Sequence, residues 1–119
     1  MKIKVKESTV VKHIMKALDI NYPGFYFKVH GGLYQATGLP DIIGLHRGRF
    51  IGIEVKVPGK ENTLTKKQAQ TIRKINLAGG ISFMAISPQQ VLVQLKEEFV
   101  DDNSKRKSVK ASATSGRIK

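Results

Sequence analysis

The chain contains no cysteine, few acidic residues and no apolar run long enough to span a membrane. Without cysteine, disulfide bonds and thiolate zinc sites are excluded, which fits a reducing cytoplasm, where we expect the protein to act. No secretory apolar region follows the basic start, no internal repeat is present, and no glycine-rich phosphate loop with a lysine predicts a nucleotide cofactor. What is left is a chain of 119 residues, long enough for one domain with a modest core.

The shortage of acidic residues makes the chain strongly basic. Its 21 lysines and arginines oppose 9 aspartates and glutamates, so the formal net charge is +12. This excess predicts a polyanionic partner, and the spread of lysines along the chain favours nucleic acid over a membrane surface. Residues 101–119 are basic and lack apolar periodicity, so residues 1–100 are predicted as the folded domain and the remainder as a disordered tail. The tail would hold DNA non-specifically or simply aid solubility.

Apolar spacing predicts the order α-β-β-β-α-β followed by a short final helix. The predicted elements are a helix from Glu7, strands near 25–29, 42–45, 50–57 and 81–86, a helix from Thr63 or Thr65 to Leu77, and a last helix from Ser87-Pro88. Three antiparallel strands followed by a helical crossover to a fourth give a mixed four-stranded sheet flanked by helices, an α/β fold. Because the phenylalanines and tyrosines follow strand alternation, we expect them in the core.

The most specific pattern lies on the hairpin formed by the second and third strands. Gly38-Leu39-Pro40-Asp41 precedes one strand, and Ile53-Glu54-Val55-Lys56 ends the other. Alternation places Glu54 and Lys56 on one face, and a turn at Arg47-Gly48 brings Asp41 opposite them. Taken singly, Asp41 also fits a turn residue, and Glu54 with Lys56 also fits a solvated strand face.

These residue types suit metal-assisted cleavage of a phosphodiester. Mg²⁺ prefers oxygen ligands and is usually held by one or two carboxylates together with water and substrate phosphate oxygens. Asp41 and Glu54 supply carboxylates, and the main-chain carbonyl of Val55 is a third candidate ligand for Mg²⁺ or Mn²⁺. Lys56 is a cation placed to orient the attacking water or to stabilise charge on the phosphorane. The three histidines match no zinc spacing.

The pattern resembles the PD-(D/E)xK nuclease superfamily, and specifically its VRR-NUC branch, from Glu7 to about residue 96. The matching features are Glu7, Pro40-Asp41, Glu54-Val55-Lys56, Gln68 and the helix end at Ala78-Gly79-Gly80. The resemblance implies a restriction-endonuclease-like fold and a catalytic set of Asp41, Glu54, Lys56, Gln68 and Glu7. It also implies that Gln68 orients Lys56 or the water, and that Glu7 supports the metal from outside or binds a second ion.

Two of these residues also have a purely structural interpretation. Gln68 stands three residues after Thr65, the spacing of a capping box at a helix start. Glu7 falls on the apolar stripe of the first helix, where a carboxylate without a partner is unfavourable. It equally fits a first-turn glutamate favoured by the helix dipole.

The substrate follows from the resemblance. Small stand-alone members of the family look like phage or bacterial proteins that act on branched DNA in recombination and repair, so a four-way (Holliday) junction and a two-fold homodimer are expected. The alternatives are a flap endonuclease, a sequence-tolerant duplex endonuclease and a DNA-binding module without catalysis. The basic residues predicted to contact DNA are Lys28, His30, Arg47, Arg49, Lys60, Lys66 and Lys67. His46, beside Arg47 at the hairpin tip, is also expected to touch the DNA backbone.

Overall fold

The computed structural model describes residues 4–30 and 37–100, so the predicted tail at 101–119 and most of the glycine-bearing loop before Asp41 lie outside the described residues. The elements are α1 (Glu7–Asn21), β1 (Phe25–Lys28), β2 (Ile42–His46), β3 (Arg49–Val55), a 3₁₀ turn (Glu61–Thr63), α2 (Lys66–Leu77), β4 (Ile81–Ala85) and α3 (88–100). This sequence of elements confirms the predicted order. Among the described residues, no helix is long and apolar enough to cross a membrane.

The four strands form one mixed open sheet in the order β1-β2-β3-β4. The first three strands pair antiparallel, and β4 pairs parallel to β3 after the crossover through α2. The β2–β3 register pairs Ile42 with Ile53 and His46 with Arg49, leaving Arg47 and Gly48 as the two-residue turn. Both turn residues have positive φ, 52° and 79°, as a tight hairpin turn compatible with strand twist requires. The predicted turn at Arg47-Gly48 is therefore confirmed.

One face of the sheet carries the core. It packs against the apolar stripes of α1 and α3, as the helical spacing in both segments predicts. The side chains are all buried: Val10, Val11, Ile14, Leu18, Ile42, Ile51, Ile53, Val55, Ile81, Ala85, Val91, Leu95 and Phe99. This packing fixes which face of β3 is internal, and so it turns the alternate residues of that strand toward α2.

Among the described residues, α2 packs on the opposite face over β3 and β4. Ile75 lies against Gly52, where a Cβ would come within 3.2 Å of the Ile75 side chain. Asn76 holds β4 by two hydrogen bonds, donating to the Ser82 carbonyl and accepting from the Ser82 N–H, each at 2.9 Å. This anchoring sets the position of the whole helix, including its start beside the end of β3.

The β1–β2 part of the same face is exposed. Phe25 is 67% exposed, Phe27 46%, Leu45 47% and Phe50 39%, and we call these four residues the exposed patch. Cross-strand pairing of Leu45 with both Phe25 and Phe50 makes the patch continuous. The prediction that the phenylalanines lie in the core is wrong for these three, because alternation assigns a residue to a face but does not tell whether a helix covers that face.

Candidate active site

The candidate site lies at the end of the sheet where β2 begins and β3 ends. Asp41 directly precedes β2, and the pairing of Ile42 with Ile53 continues to bring Asp41 beside Glu54. The loop before Asp41 is pressed against the start of α2, since a Cβ on Gly38 would lie 3.0 Å from the Lys67 backbone. Gly38 also has a φ of 84°, which a side chain would strain. Three elements, β2, β3 and α2, thus meet the loop at this point.

Asp41 is held by the backbone of β3. The N–H of Val55 donates to Asp41 Oδ2 at 2.7 Å. In an extended strand the N–H and C=O of one residue point to the same side, so the Val55 carbonyl lies on the Asp41 side of β3. The two groups predicted from sequence to share a metal are therefore on one side of the strand.

Glu54 is buried, with only 4% of its side chain exposed. Gln68 Nε2 donates to Glu54 Oε2 at 3.0 Å, and Lys56 Nζ lies 3.8 Å from the same oxygen. In the described part of the chain, Glu54 Oε1 is the one buried side-chain polar atom without a hydrogen-bond partner. The solvated-face interpretation of Glu54 is wrong, because α2 closes over the end of β3.

The charge balance at Glu54 is unfavourable without a cation. Burial, the charge of Asp41 and the hydrogen bond that a protonated Glu54 carboxyl can donate to Asp41 raise the Glu54 pKa to about 8, against the lowering effect of Lys56. When Glu54 is protonated, it can share its proton with Asp41, but when it is ionised, Oε1 faces no donor. A divalent ion between the two carboxylates would remove both problems, so the donor set fits Mg²⁺ or Mn²⁺.

The two carboxylates alone would not complete the coordination of a metal ion. The described residues contain no group of three or more histidine, cysteine, aspartate or glutamate side chains placed to bind one ion. An ion at Asp41 and Glu54 would therefore also need the Val55 carbonyl, water and substrate oxygens. This sparse protein coordination is the usual arrangement for Mg²⁺ beside a phosphate.

Lys56 is the cation of the site. Its side chain is 12% exposed, and its backbone N–H donates to the Ala85 carbonyl at 3.0 Å, which ties it to β4. Its ammonium group lies beside the Glu54 carboxylate, 3.8 Å from Oε2. Its role in orienting water or stabilising charge stays a prediction.

Glu7 begins α1 and is exposed, so its placement on a buried stripe is wrong. The buried stripe starts one turn later, at Val10, and Glu7 is a first-turn glutamate. It nevertheless lies within electrostatic reach of the site. Partial burial and the charge of Asp41 raise its pKa, while Lys56 and Lys28 lower it. A role beside the metal stays a prediction for this residue.

Gln68 forms the capping box that its spacing suggested, and the same side chain also contacts a residue of the candidate site. Its Oε1 accepts from the Thr65 N–H at 2.9 Å, and its N–H donates to Thr65 Oγ1 at 3.1 Å, which completes the capping box of α2. Its Nε2 donates to Glu54. The resemblance implied Lys56 or the water as the target of this amide, whereas the structure gives it a carboxylate oxygen.

The predicted DNA-contacting residues divide into two groups. Those exposed near the site are Lys28, His30, Lys60, Lys66 and Lys67. Lys67 Nζ donates to Thr37 Oγ1 at 2.9 Å, a contact between α2 and the loop that no sequence signal indicated. Arg47 and Arg49 lie at the other end of the hairpin, roughly 15 Å away by strand rise. Arg49 donates to the Gly79 carbonyl at 3.2 Å and lies 3.5 Å from Glu98.

His46 does not belong to a DNA-contacting surface. Only 5% of it is exposed, and its Nδ1 donates to the Pro23 carbonyl at 2.8 Å. The ring packs edge-on against Phe99, with centroids 4.7 Å apart. The expectation that His46 touches the DNA backbone is wrong, because α3 packs over the hairpin tip.

No protein-family model matches this chain, and no curated protein matches it. Support for a function therefore comes from the geometry of the site.

Proposed function

We propose that this protein is a Mg²⁺- or Mn²⁺-dependent DNA endonuclease of the VRR-NUC type, with the restriction-endonuclease-like version of its α/β fold. The observation that carries the proposal is Glu54 Oε1, a buried oxygen without a partner beside a second carboxylate. Buried polar atoms are nearly always paired, so an unpaired one at a strand end next to a lysine calls for a ligand. A hard cation satisfies it.

The roles follow from the contacts. Asp41, Glu54 and the Val55 carbonyl would hold the ion, which when bound would polarise the scissile phosphate and acidify a water. Lys56 directs its ammonium group to the same space and stabilises negative charge as the phosphodiester is attacked. Gln68 keeps Glu54 in place, and Glu7 adds negative potential from the start of α1.

The surface around the site supports a nucleic acid substrate. Exposed lysines stand in three segments near the site. They are Lys28 at the end of β1, Lys60 after β3, and Lys66 with Lys67 at the start of α2. Phosphate contacts from such residues dominate the affinity of DNA-binding proteins. The net charge of +12 favours the same partner and gives fast association.

We propose a four-way junction as the substrate and a homodimer as the active form. A junction has two-fold related strands, and one small chain with one site needs a second copy to make paired cuts. The exposed patch is where we place that second copy. Its four apolar side chains expose roughly 400 Å², about half of the ~800 Å² that each partner of a standard interface buries. None of the four carries charge, so a second copy would meet an apolar surface at this patch.

The test compares a four-way junction, a flap and a linear duplex with Mg²⁺, Mn²⁺ or a chelator. We expect metal-dependent cuts in the junction at positions set by the branch, and no cuts with chelator. Lys56→Ala should lose cleavage while keeping its fold and most DNA affinity, and Lys16→Ala, at an exposed lysine of α1 outside the site, is the matched control. Binding with a salt slope near −0.9 per phosphate contact and no product with either metal would contradict catalysis. Cuts in the flap, or at fixed positions in the duplex, would refute the junction and identify the flap or the duplex as the substrate.

The dimer is tested separately by light scattering, free and with junction DNA. We expect twice the chain mass of 13.2 kDa. Phe27→Ser on the exposed patch should give monomers that nick one strand only. The same substitution at Val93, which is 62% exposed on α3, is the matched control. A monomeric wild type in both states would refute the dimer and leave the metal site untouched.

A further inference from the structure

The start of α2 fixes the direction in which the Gln68 side chain points its donor. A glutamine amide has an accepting oxygen at one end and a donating NH₂ group at the other. Gln68 Oε1 is occupied by the Thr65 N–H at 2.9 Å, so the NH₂ group is turned toward Glu54 Oε2, 3.0 Å away. Rotating the amide by half a turn would face NH₂ to N–H and oxygen to carboxylate, losing both bonds.

The other half of the capping box holds the backbone that carries this amide. Thr65 Oγ1 accepts from the Gln68 N–H at 3.1 Å, with Thr65 itself in an extended conformation at φ −82° and ψ 164°. Both capping bonds are solvent-exposed, so water could satisfy these groups if the box were absent. Satisfying the helix start alone therefore does not require this arrangement.

We propose that Thr65 is a positioning residue that acts through Gln68 on Glu54, and this inference rests on the proposed function. The Thr65 N–H orients the amide, the amide occupies Glu54 Oε2, and Oε1 is left without a partner. Without the oriented donor, the carboxyl group of Glu54 is free to rotate and to present the wrong oxygen. The capping box of α2 thus selects which oxygen of Glu54 is available to a cation.

Two substitutions at one position separate this role from ordinary helix capping. Thr65→Ala and Thr65→Pro both remove the Oγ1 cap, but only proline removes the N–H that orients Gln68. The backbone tolerates proline, since φ at Thr65 is −82° and Leu64 before it has ψ 124°, the extended conformation that a following proline prefers. Thr65→Ser keeps both groups and should behave as wild type.

The first measurement is the side-chain amide resonance of Gln68 in metal-free protein. It should shift in Thr65→Pro and stay near its wild-type position in Thr65→Ser. This result does not depend on whether the protein cleaves DNA. The second is Mn²⁺ binding by calorimetry, which should be weakened about tenfold in Thr65→Pro relative to Thr65→Ala, the loss expected for one hydrogen bond to a charged group. Cleavage should fall in kcat with KM for DNA unchanged.

The outcomes are distinguishable. If alanine and proline lower the melting temperature equally and bind Mn²⁺ as wild type does, the box is only a helix cap and the inference is refuted. If the Gln68 resonance does not respond to proline, the inference is refuted even where the metal site is intact. If the resonance responds but wild type binds no Mn²⁺ and cuts no DNA, the proposed function fails, and with it the link from Glu54 to a cation.

Discussion

The two ends of the β2–β3 hairpin each bury one polar side chain, but they differ in whether that side chain has all its hydrogen-bond partners. At the turn end, His46 is 5% exposed, donates to the Pro23 carbonyl and packs edge-on against Phe99 and Tyr22. At the open end, Glu54 is 3% exposed and keeps one oxygen without a partner. The two side chains are therefore buried to a similar extent, but His46 is hydrogen-bonded whereas Glu54 has one oxygen without a partner.

A third buried polar residue, like His46, has hydrogen-bond partners. Ser82 on β4 donates through Oγ to the Gly52 carbonyl at 2.7 Å, and its backbone is paired with Asn76. The fold thus supplies partners where a polar group only has to be accommodated. Glu54 is instead placed beside the like charge of Asp41, which destabilises the metal-free state. The contrast supports the proposal that Glu54 binds a cation.

The largest effect expected from this contrast is that of Glu54→Gln. Cleavage should fall about a thousandfold, because the cation loses a charged ligand beside the reacting phosphate. The same change should stabilise metal-free protein at pH 8.5 by about 1–3 kcal/mol, since the new amide can donate to Asp41. Single-turnover cleavage and thermal unfolding with chelator measure the two effects. A loss of stability would show that the Glu54 carboxylate already has its hydrogen-bond partners in metal-free protein. The contrast between Glu54 and His46 would then be refuted.

The reverse result is expected at the turn end. His46→Ala should cost about 2–4 kcal/mol of unfolding free energy, because it leaves a cavity against Phe99 and an unpaired Pro23 carbonyl. Cleavage per folded molecule should stay unchanged. His13→Ala, on the exposed side of α1, is the matched control and should change stability by less than about 0.5 kcal/mol. A tenfold loss of cleavage with stability intact would instead place the hairpin tip on DNA.

Local sequence rules predict one end of the hairpin much better than the other. Asp41, Glu54 and Lys56 meet through strand pairing across a two-residue turn, and Gln68 reaches them from a helix start marked by Thr65. These relations depend on alternation, turn length and capping, which a few neighbouring residues determine. The order of elements was predictable for the same reason.

The features that escaped prediction depend on packing between distant segments. His46 is buried because α3 crosses the turn end, and the exposed patch, including Phe25, is bare because α2 stops short of β1 and β2. Apolar spacing shows that a helix has a buried stripe but does not tell which strands it will cover. For Glu7, spacing allowed either a buried stripe or a first-turn glutamate, and the structure gives the exposed first turn.

The pH dependence of stability also distinguishes the two ends of the hairpin. Because the pKa of Glu54 is raised from 4.5 to about 8 in the folded state, folded protein retains a proton between these values that unfolded protein has released. Stability contributed by this group is therefore fully present below about pH 4.5 and is lost as the pH rises toward 8, by at most about 1.4 kcal/mol per pH unit. A cation at Asp41 and Glu54 must displace that proton, so its affinity should rise over the same range.

We therefore expect Mn²⁺ to raise the melting temperature more at pH 8.5 than at pH 6. Thermal unfolding with and without millimolar Mn²⁺ across this range gives the increment, and bound ion stabilises only the folded state. Glu54→Gln should abolish the dependence of the increment on pH, whereas His46→Ala should lower every melting temperature and leave that dependence in place. An increment that is the same at all pH values would mean that Mn²⁺ binds without displacing the Glu54 proton, and so at some position other than the unpaired oxygen.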